Sequence, residues 1–248
     1  MKRRSPFNHP LSKNDLYKIR VFPNNDHRQI SLFQGGKQVE QARQTRVHRW
    51  LLLIVAAVFV WSAIRPASYA VWALEVAPAL IGLAMVIALY RRFPLTTMSY
   101  VIIAMLAILM LIGGHYIYSK VPFFNWIKEA FHFERNHYDR FGHFLKGTFA
   151  IVLREIVLRK TLLPRGAWLF TIVTSMSLAI AALYEIIEWL VSMISKGGKA
   201  SKDFLGTQGD IWDTQWDMLC TLSGTLVALW LLAKWHDRQL VRLDQSHS

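Results

Sequence analysis

Cysteine is all but missing from this 248-residue chain, where Cys220 stands alone inside an apolar run. A single thiol excludes an intramolecular disulfide framework and a cysteine-built zinc site, and it leaves the redox compartment unread. Acidic residues are also scarce, 16 Asp and Glu against 29 Lys and Arg, and charged residues of both signs make up 18% of the chain. Amphipathic periods are scarce too. The apolar residues, 53% of the total with ten Trp among them, come in long blocks, and such blocks predict a helical membrane protein. The absence of a visible internal repeat argues against the inverted-repeat architecture of secondary transporters. The net charge of +13 invites a nucleic-acid reading. Most of the excess lies in the first 49 residues and in short loops, however, a distribution that membrane topology explains, so no nucleic-acid partner is expected.

Residues 1–49 hold eleven Lys or Arg and three acids with no sustained hydrophobic period. They read as a basic, mostly disordered cytoplasmic tail. The first apolar run starts at Trp50, too far along for a signal peptide, and no cleavage is expected. Six apolar runs follow, at 50–64, 71–90, 95–118, 142–158, 168–194 and 214–235. About 20 helical residues cross a bilayer core, so the first and fourth runs need their flanks to complete a span. Arg65-Pro66, the stretch from Arg91 to Pro94 and the stretch from Leu163 to Gly166 separate neighbours. The expected fold is an all-α membrane protein, a bundle of about six transmembrane helices over 50–238, with a short cytoplasmic tail at 239–248. With the amino terminus inside, nineteen Lys and Arg fall on inner segments and eight on outer loops, which makes both termini cytoplasmic. Arg154 is expected to snorkel towards the cytoplasm, and Glu155 needs a partner that the sequence does not name. Residues 121–137 mix aromatic and charged side chains and read as an amphipathic segment on the outer interface.

This orientation gathers the chemistry-bearing residues on the outer side. His115 ends the third run, Asp139 and His143 open the fourth, Glu185 and Glu188 close the fifth, and Asp210, Asp213 and Asp217 open the sixth. On one helix the three aspartates share a stripe roughly 60° wide. Asp139, His143 and Lys146 follow one another at spacings of four and three, so acid, imidazole and amine line one helical face. Carboxylate beside imidazole suits acid-base chemistry, and Lys146 suits a phosphate. Tyr184 precedes the Glu185 and Glu188 pair, whose two charges cannot both face lipid. Each group also has a plain structural reading, as a salt bridge at a helix end or a solvated acid. Six carboxylates against so few cations favour a hard divalent cation such as Mg²⁺, with Glu185, Glu188, Asp210, Asp213 and Asp217 as oxygen ligands. Zinc would have to rely on His115, His132, His137 or His143 and is not favoured.

The motifs YDRFGHFLKG at 138–147, YEIIEW at 184–189 and GTQGDIWDTQWD at 206–217 closely resemble the YjdF-like family of uncharacterised bacterial inner-membrane proteins, over roughly residues 48–238. The resemblance implies a multi-pass protein of the bacterial inner membrane and supplies no reaction. A weaker likeness is to VanZ-like proteins, through Asp139 to Phe144, the Glu185 and Glu188 helix end, and Asp217, Thr221 and Gly224. Thr221 stands where that group has Asn, and Glu188 where it often has Gln. The Asp-x-x-Asp-x-x-x-Asp pattern is similar to one magnesium-diphosphate motif of UbiA-type prenyltransferases, as a local analogy.

Two functions of different class follow. The first is a membrane-embedded hydrolase or transferase acting on a lipid-linked or phosphorylated substrate, with His143 as acid or base oriented by Asp139, Lys146 and Tyr184 on the substrate, and the acids on the metal. The alternative is a non-enzymatic protein that binds or transports a cation- or proton-coupled substrate through the same acids.

Overall fold

The computed structural model describes residues 26–194, 198 and 203–247. Among them there is no strand. The helices are α1 Asp26–Ala63, α2 Tyr69–Leu89, α3 Thr97–Tyr116, α4 Pro122–Ala130, α5 Tyr138–Lys146, α6 Ala150–Lys160, α7 Ala167–Ile194 and α8 Asp213–His247, with 3-10 turns at Tyr118–Lys120 and Gly147–Phe149. Among the described residues, those from Arg43 onward form one compact unit and those before it a separate one. Helix α1 begins at Asp26, inside the stretch that the sequence reading expected to be a mostly disordered tail. Residues 1–25 lie outside the described residues, as do Lys196, Lys199 and Lys202 of the expected outer loop. Helix α8 runs through most of the expected terminal tail, to His247.

Five helices are long and apolar enough to cross a membrane, through Gln41–Ala63, Tyr69–Leu89, Thr97–Tyr116, Ala167–Ile194 and Asp213–Asp244. Local chemistry sets their ends. Ser68 caps α2 by accepting from the Val71 amide, and Thr96 caps α3 by accepting from Ser99. The fourth apolar run is not one helix. It is α5, a 3-10 turn and α6 in succession. At the break, the Thr148 hydroxyl donates to the Leu145 carbonyl at 2.7 Å, and the Thr225 hydroxyl of α8 donates to the Gly147 carbonyl at 3.2 Å. Side-chain donors thus occupy carbonyls at the point where the regular ladder is interrupted.

The same break is where two backbones touch. A Cβ on Gly224 of α8 would fall on the Phe144 carbonyl, and one on Gly147 would fall on the backbone of Thr221 and Thr225. Two glycines therefore let α5 and its turn lie directly on α8, the close approach that small residues permit between membrane helices. Helix α8 also packs against α6 and α7, and α2 packs against α3.

Burial follows helical periodicity with the polarity of a membrane protein. On α7 the inward stripe is Val173, Ser177, Ala181, Glu185 and Glu188, while Ile186, Ile187 and Leu190 are exposed. On α8, Asp213, Asp217, Thr221 and Thr225 point inward at spacings of four. Acids and hydroxyls face the interior and hydrocarbon faces out, as a bilayer requires.

One buried acid has found a complete shell. Glu155 on α6 accepts from the Thr96 amide (2.9 Å), the Thr96 and Ser99 hydroxyls (2.8 and 2.6 Å) and Arg159 (3.0 Å), with His236 Nε2 at 3.2 Å. Arg154 does not snorkel. It is buried and donates to Asp237 at 2.8 Å, with His236 Nδ1 at 2.9 Å. The sequence could not supply these partners because His236 and Asp237 lie some eighty residues downstream.

Two outcomes are expected from this packing. Gly224→Leu should push α5 off α8 and lower stability by about 1–3 kcal/mol or more, seen as a lower melting temperature in mild detergent. Glu155→Ala leaves Arg159 and His236 facing an empty buried site and should cost about 3–5 kcal/mol in the same measurement.

Candidate functional site

The opposite end of α5 and α8 carries a second polar cluster. Asp139, His143 and Lys146 line one face of α5, as their spacing predicts. His143 Nε2 lies 3.6 Å from Asp139 Oδ1, 3.6 Å from Glu185 Oε1 on α7 and 3.1 Å from Lys146 Nζ. Its other nitrogen, Nδ1, is 3.3 Å from the Thr221 hydroxyl of α8. An ammonium has no acceptor, so Nε2 accepts from Lys146 and the Nδ1 nitrogen carries the proton of the neutral ring. The same Nε2 edge lies 3.6 Å from two carboxylate oxygens, which repel each other and are offset by the Lys146 ammonium. Asp217 joins the same place, since Asp139, His143 and Asp217 can each bring a ligand atom within 4.8 Å of the others.

Lys146 Nζ also sits over the Tyr184 ring, 4.2 Å from its centroid, and Tyr184 donates its hydroxyl to Glu75 on α2 at 3.2 Å. Glu188, one turn beyond Tyr184, is buried within electrostatic reach of Asp139 and Glu75. Tyr118, in the turn after α3, packs its ring against Gly113, and its hydroxyl is buried without a partner. Burial, then the charge of Glu75 and its neighbours, pushes the Tyr118 phenol well above its ordinary range, so it remains a proton donor.

Two of the expected metal ligands are already paired. Asp213 is bound by Arg135, and Asp210 by Arg140, with Arg135 to Asp210 at 3.6 Å and Arg140 to Asp213 at 3.9 Å. The three-aspartate stripe on a single helix is corrected as well. Helix α8 begins at Asp213, and Asp210 lies in the preceding turn, where Oδ1 accepts from the Trp212 amide at 2.9 Å. That amide, then Arg140, holds the Asp210 carboxyl below its usual range. Sequence reasoning counted Arg135 and Arg140 as loop charges. Arg135 is in fact buried, and Arg140 lies with its guanidinium 5.2 Å from the centre of the Trp216 ring.

Of the other histidines, His115 contacts the Ser62 carbonyl at 3.0 Å and stacks on Trp61, away from the cluster. His132 is exposed, and His137 packs edge-on against Phe133. The structure thus brings together Asp139, His143, Lys146, Tyr184, Glu185, Glu188 and Asp217. It ties Asp210 and Asp213 to arginines, and it adds Glu75 and Tyr118. Glu75, a lone acid in a long apolar run, was the available signal for the first. Tyr118 had none.

Among the described residues, the buried carboxylate oxygens without a hydrogen-bond partner are Glu185 Oε1 and Asp217 Oδ1, and both belong to this cluster. Desolvated oxygens left unpaired are costly, and Glu185 Oε1 lies 3.6 Å from His143 Nε2. For a divalent cation the donors that converge are Asp139 and Asp217 with the His143 imidazole, and Glu185 Oε1 lies beside that ring. Next to the cluster, a cavity of about 260 Å³ reaches from His143, Lys146 and Tyr184 along the apolar faces of α2, α3 and α7.

Comparison with known proteins places the chain among its relatives. It is 39% identical to the inner membrane protein YjdF of Escherichia coli (strain K12) over 191 residues, which cover 77% of this chain and 90% of that protein. No solved structure matches significantly. Residues 47–238, which contain every member of the cluster, match the DUF2238 family, described as a predicted membrane protein family. The chain belongs to the DUF2238 family of predicted membrane proteins.

Proposed function

We propose that this protein is a metal-dependent hydrolase or transferase of the bacterial inner membrane that acts at the outer leaflet on a lipid-linked, phosphorylated substrate. In this reading the α5 to α6 segment completes a six-span bundle, and both termini are cytoplasmic. The observation that carries the proposal is the pair of unpartnered buried oxygens, Glu185 Oε1, which lies 3.6 Å from His143 Nε2, and Asp217 Oδ1 in the same cluster. Glu155, equally buried, has a full set of donors, so burial of an acid in this bundle does not by itself leave oxygens unpaired. The unpaired ones mark a place for a ligand.

Asp139, Glu185 and Asp217 would hold the cation. A bound divalent cation would polarise a phosphoryl oxygen as a Lewis acid. His143, held by Thr221 through Nδ1, would offer Nε2 to take or return a proton at the attacked or leaving oxygen once Lys146 turns from Nε2 to the phosphate. Lys146 and the Tyr118 phenol stand ready to donate to phosphate oxygens, and Tyr184 holds the ammonium in position through its ring. The Arg135 and Arg140 pairs fix the loop before α8 and are structural.

Elemental analysis of protein purified in mild detergent, paired with phosphate release from polyprenyl diphosphate or phosphatidic acid, tests the assignment. Asp217→Asn should lose the metal and all turnover. His143→Ala should keep the metal while turnover falls about 10²- to 10⁴-fold, the contribution of a positioned acid-base group. Asp210→Asn should keep the metal and part of the activity. Bound metal with no turnover of any phosphorylated lipid would favour the non-enzymatic, cation-coupled reading instead.

Sidedness is read separately, in a Cys220→Ser background. A cysteine at Trp126 in α4 should react with an impermeant maleimide in cells whose outer membrane alone is permeabilised. One at Thr161 should react after the inner membrane is opened. The opposite pattern removes the outer-leaflet proposal.

A further inference from the structure

The cavity beside the acid and histidine cluster has a polar end and an apolar body. His143, Lys146 and Tyr184 form the polar end, with Thr221. Lining residues on α7 run from Tyr184 back to Ser177, and those on α3 from Met110 back to Ile103, so the cavity extends about 10 Å along the helix axes. Its polar groups away from the head end are already satisfied: the Ser177 hydroxyl is 2.7 Å from that of Thr225. The remaining wall is hydrocarbon, kept wide by small side chains, Ala79 and Gly82 on α2, Ala107 on α3 and Ala181 on α7.

The cavity is open sideways. Helices α2 and α7 both line it but make no extended contact with each other. Two of its lining residues, Pro78 and Ile180, are exposed on the outer surface of the bundle, and a Cβ on Gly82 would meet nothing within 4 Å. Across the head end, Tyr184 bridges to Glu75, closing the gap between α2 and α7 where the polar groups are. A membrane helix pair left apart in this way faces lipid tails and not water.

We propose that the cavity receives one hydrocarbon chain of a membrane lipid, which enters between α2 and α7 from within the bilayer and brings its anionic head to Lys146 and His143. The inference rests on the function proposed above for the head-group site and names the substrate class: a lipid taken up laterally, with one chain inside the protein. The volume, about 260 Å³, suits a single chain segment. The occupant is argued from charge and setting. A lysine at the polar end of an apolar cavity inside a bilayer matches a head-and-tail anion, and a water-soluble phosphate ester has nothing to fill the hydrocarbon part. Moving a tail from bilayer to cavity gains no hydrophobic free energy, so the cavity selects by shape while the head supplies affinity.

The test uses the full chain in vesicles doped with a phosphatidic acid analogue whose one acyl chain ends in a diazirine, with crosslinks mapped by peptide mass spectrometry. Wild type should crosslink at the cavity-lining residues Ala79, Leu83, Leu106, Ala107 and Ala181. Gly82→Trp, on an open position that folding tolerates, should lower these crosslinks about tenfold or more by filling the space, and Gly82→Leu should do so to a smaller degree. Both variants should retain bound metal. Crosslinks confined to outward residues such as Ile81 and Ile187, or insensitive to both substitutions, would overturn the proposal. Failure of the head-group reading is distinguishable. In that case Asp217→Asn would leave metal content and turnover at the wild-type level whatever the crosslinks show, whereas loss of the cavity crosslinks alone leaves the metal results standing.

Discussion

The contact on which the rest depends is the backbone-to-backbone approach of α5 and α8 at Gly147 and Gly224. It places Phe144 and His143 directly against Thr221, and from there the spacings of four on both helices carry Asp139 alongside Asp217 and Asp213. Any side chain larger than hydrogen at either glycine would separate the two helices. The imidazole would then lose its hydroxyl partner and the carboxylates their common space. The interrupted α5 to α6 segment is part of the same arrangement. Its 3-10 turn lets the chain pass α8 at close range while Thr225 and Thr148 occupy the carbonyls there.

Two buried carboxylate centres lie along this pair of segments, and they solve the same electrostatic problem differently. At the α6 end, Glu155 is met by an amide, two hydroxyls, a guanidinium and an imidazole, so the charge is paired where it stands. At the α5 end, Asp210 and Asp213 are similarly neutralised by Arg140 and Arg135, but Asp139, Glu185 and Asp217 share one imidazole and one ammonium. The first centre ties helices together. The second leaves acceptors unused, and an apolar cavity starts from its edge.

Much of this arrangement is legible in the amino-acid sequence. The inward faces of α5 and α7 follow from helical spacing, and Asp139, His143, Lys146, Tyr184 and Glu185 do converge as the shared end of their runs implies. The errors are equally physical. Charge counting assigned Arg135 and Arg140 to topology because a loop arginine carries no mark of its depth, yet they bind the very acids taken as metal ligands. The aspartate stripe assumed that α8 began before Asp210. The Asx turn at Trp212 starts it three residues later, and Asp210 leaves the ligand face.

By itself the sequence determined the class of protein, the apolar segments and the register of each helical face, because these depend on hydrophobic block length and on a period of 3.6 residues, both local quantities. The family match extends over residues 47–238, nearly the whole apolar part of the chain. Tertiary structure alone decided which charges cancel and which remain. Pairing Arg135 with Asp213, or Glu155 with Ser99 and His236, joins residues more than fifty positions apart, and with a few ångströms of displacement the hydrogen bonds are lost and the Coulomb attraction weakens. Spacing along a helix fixes direction, but only packing fixes distance, and the site is a matter of distance.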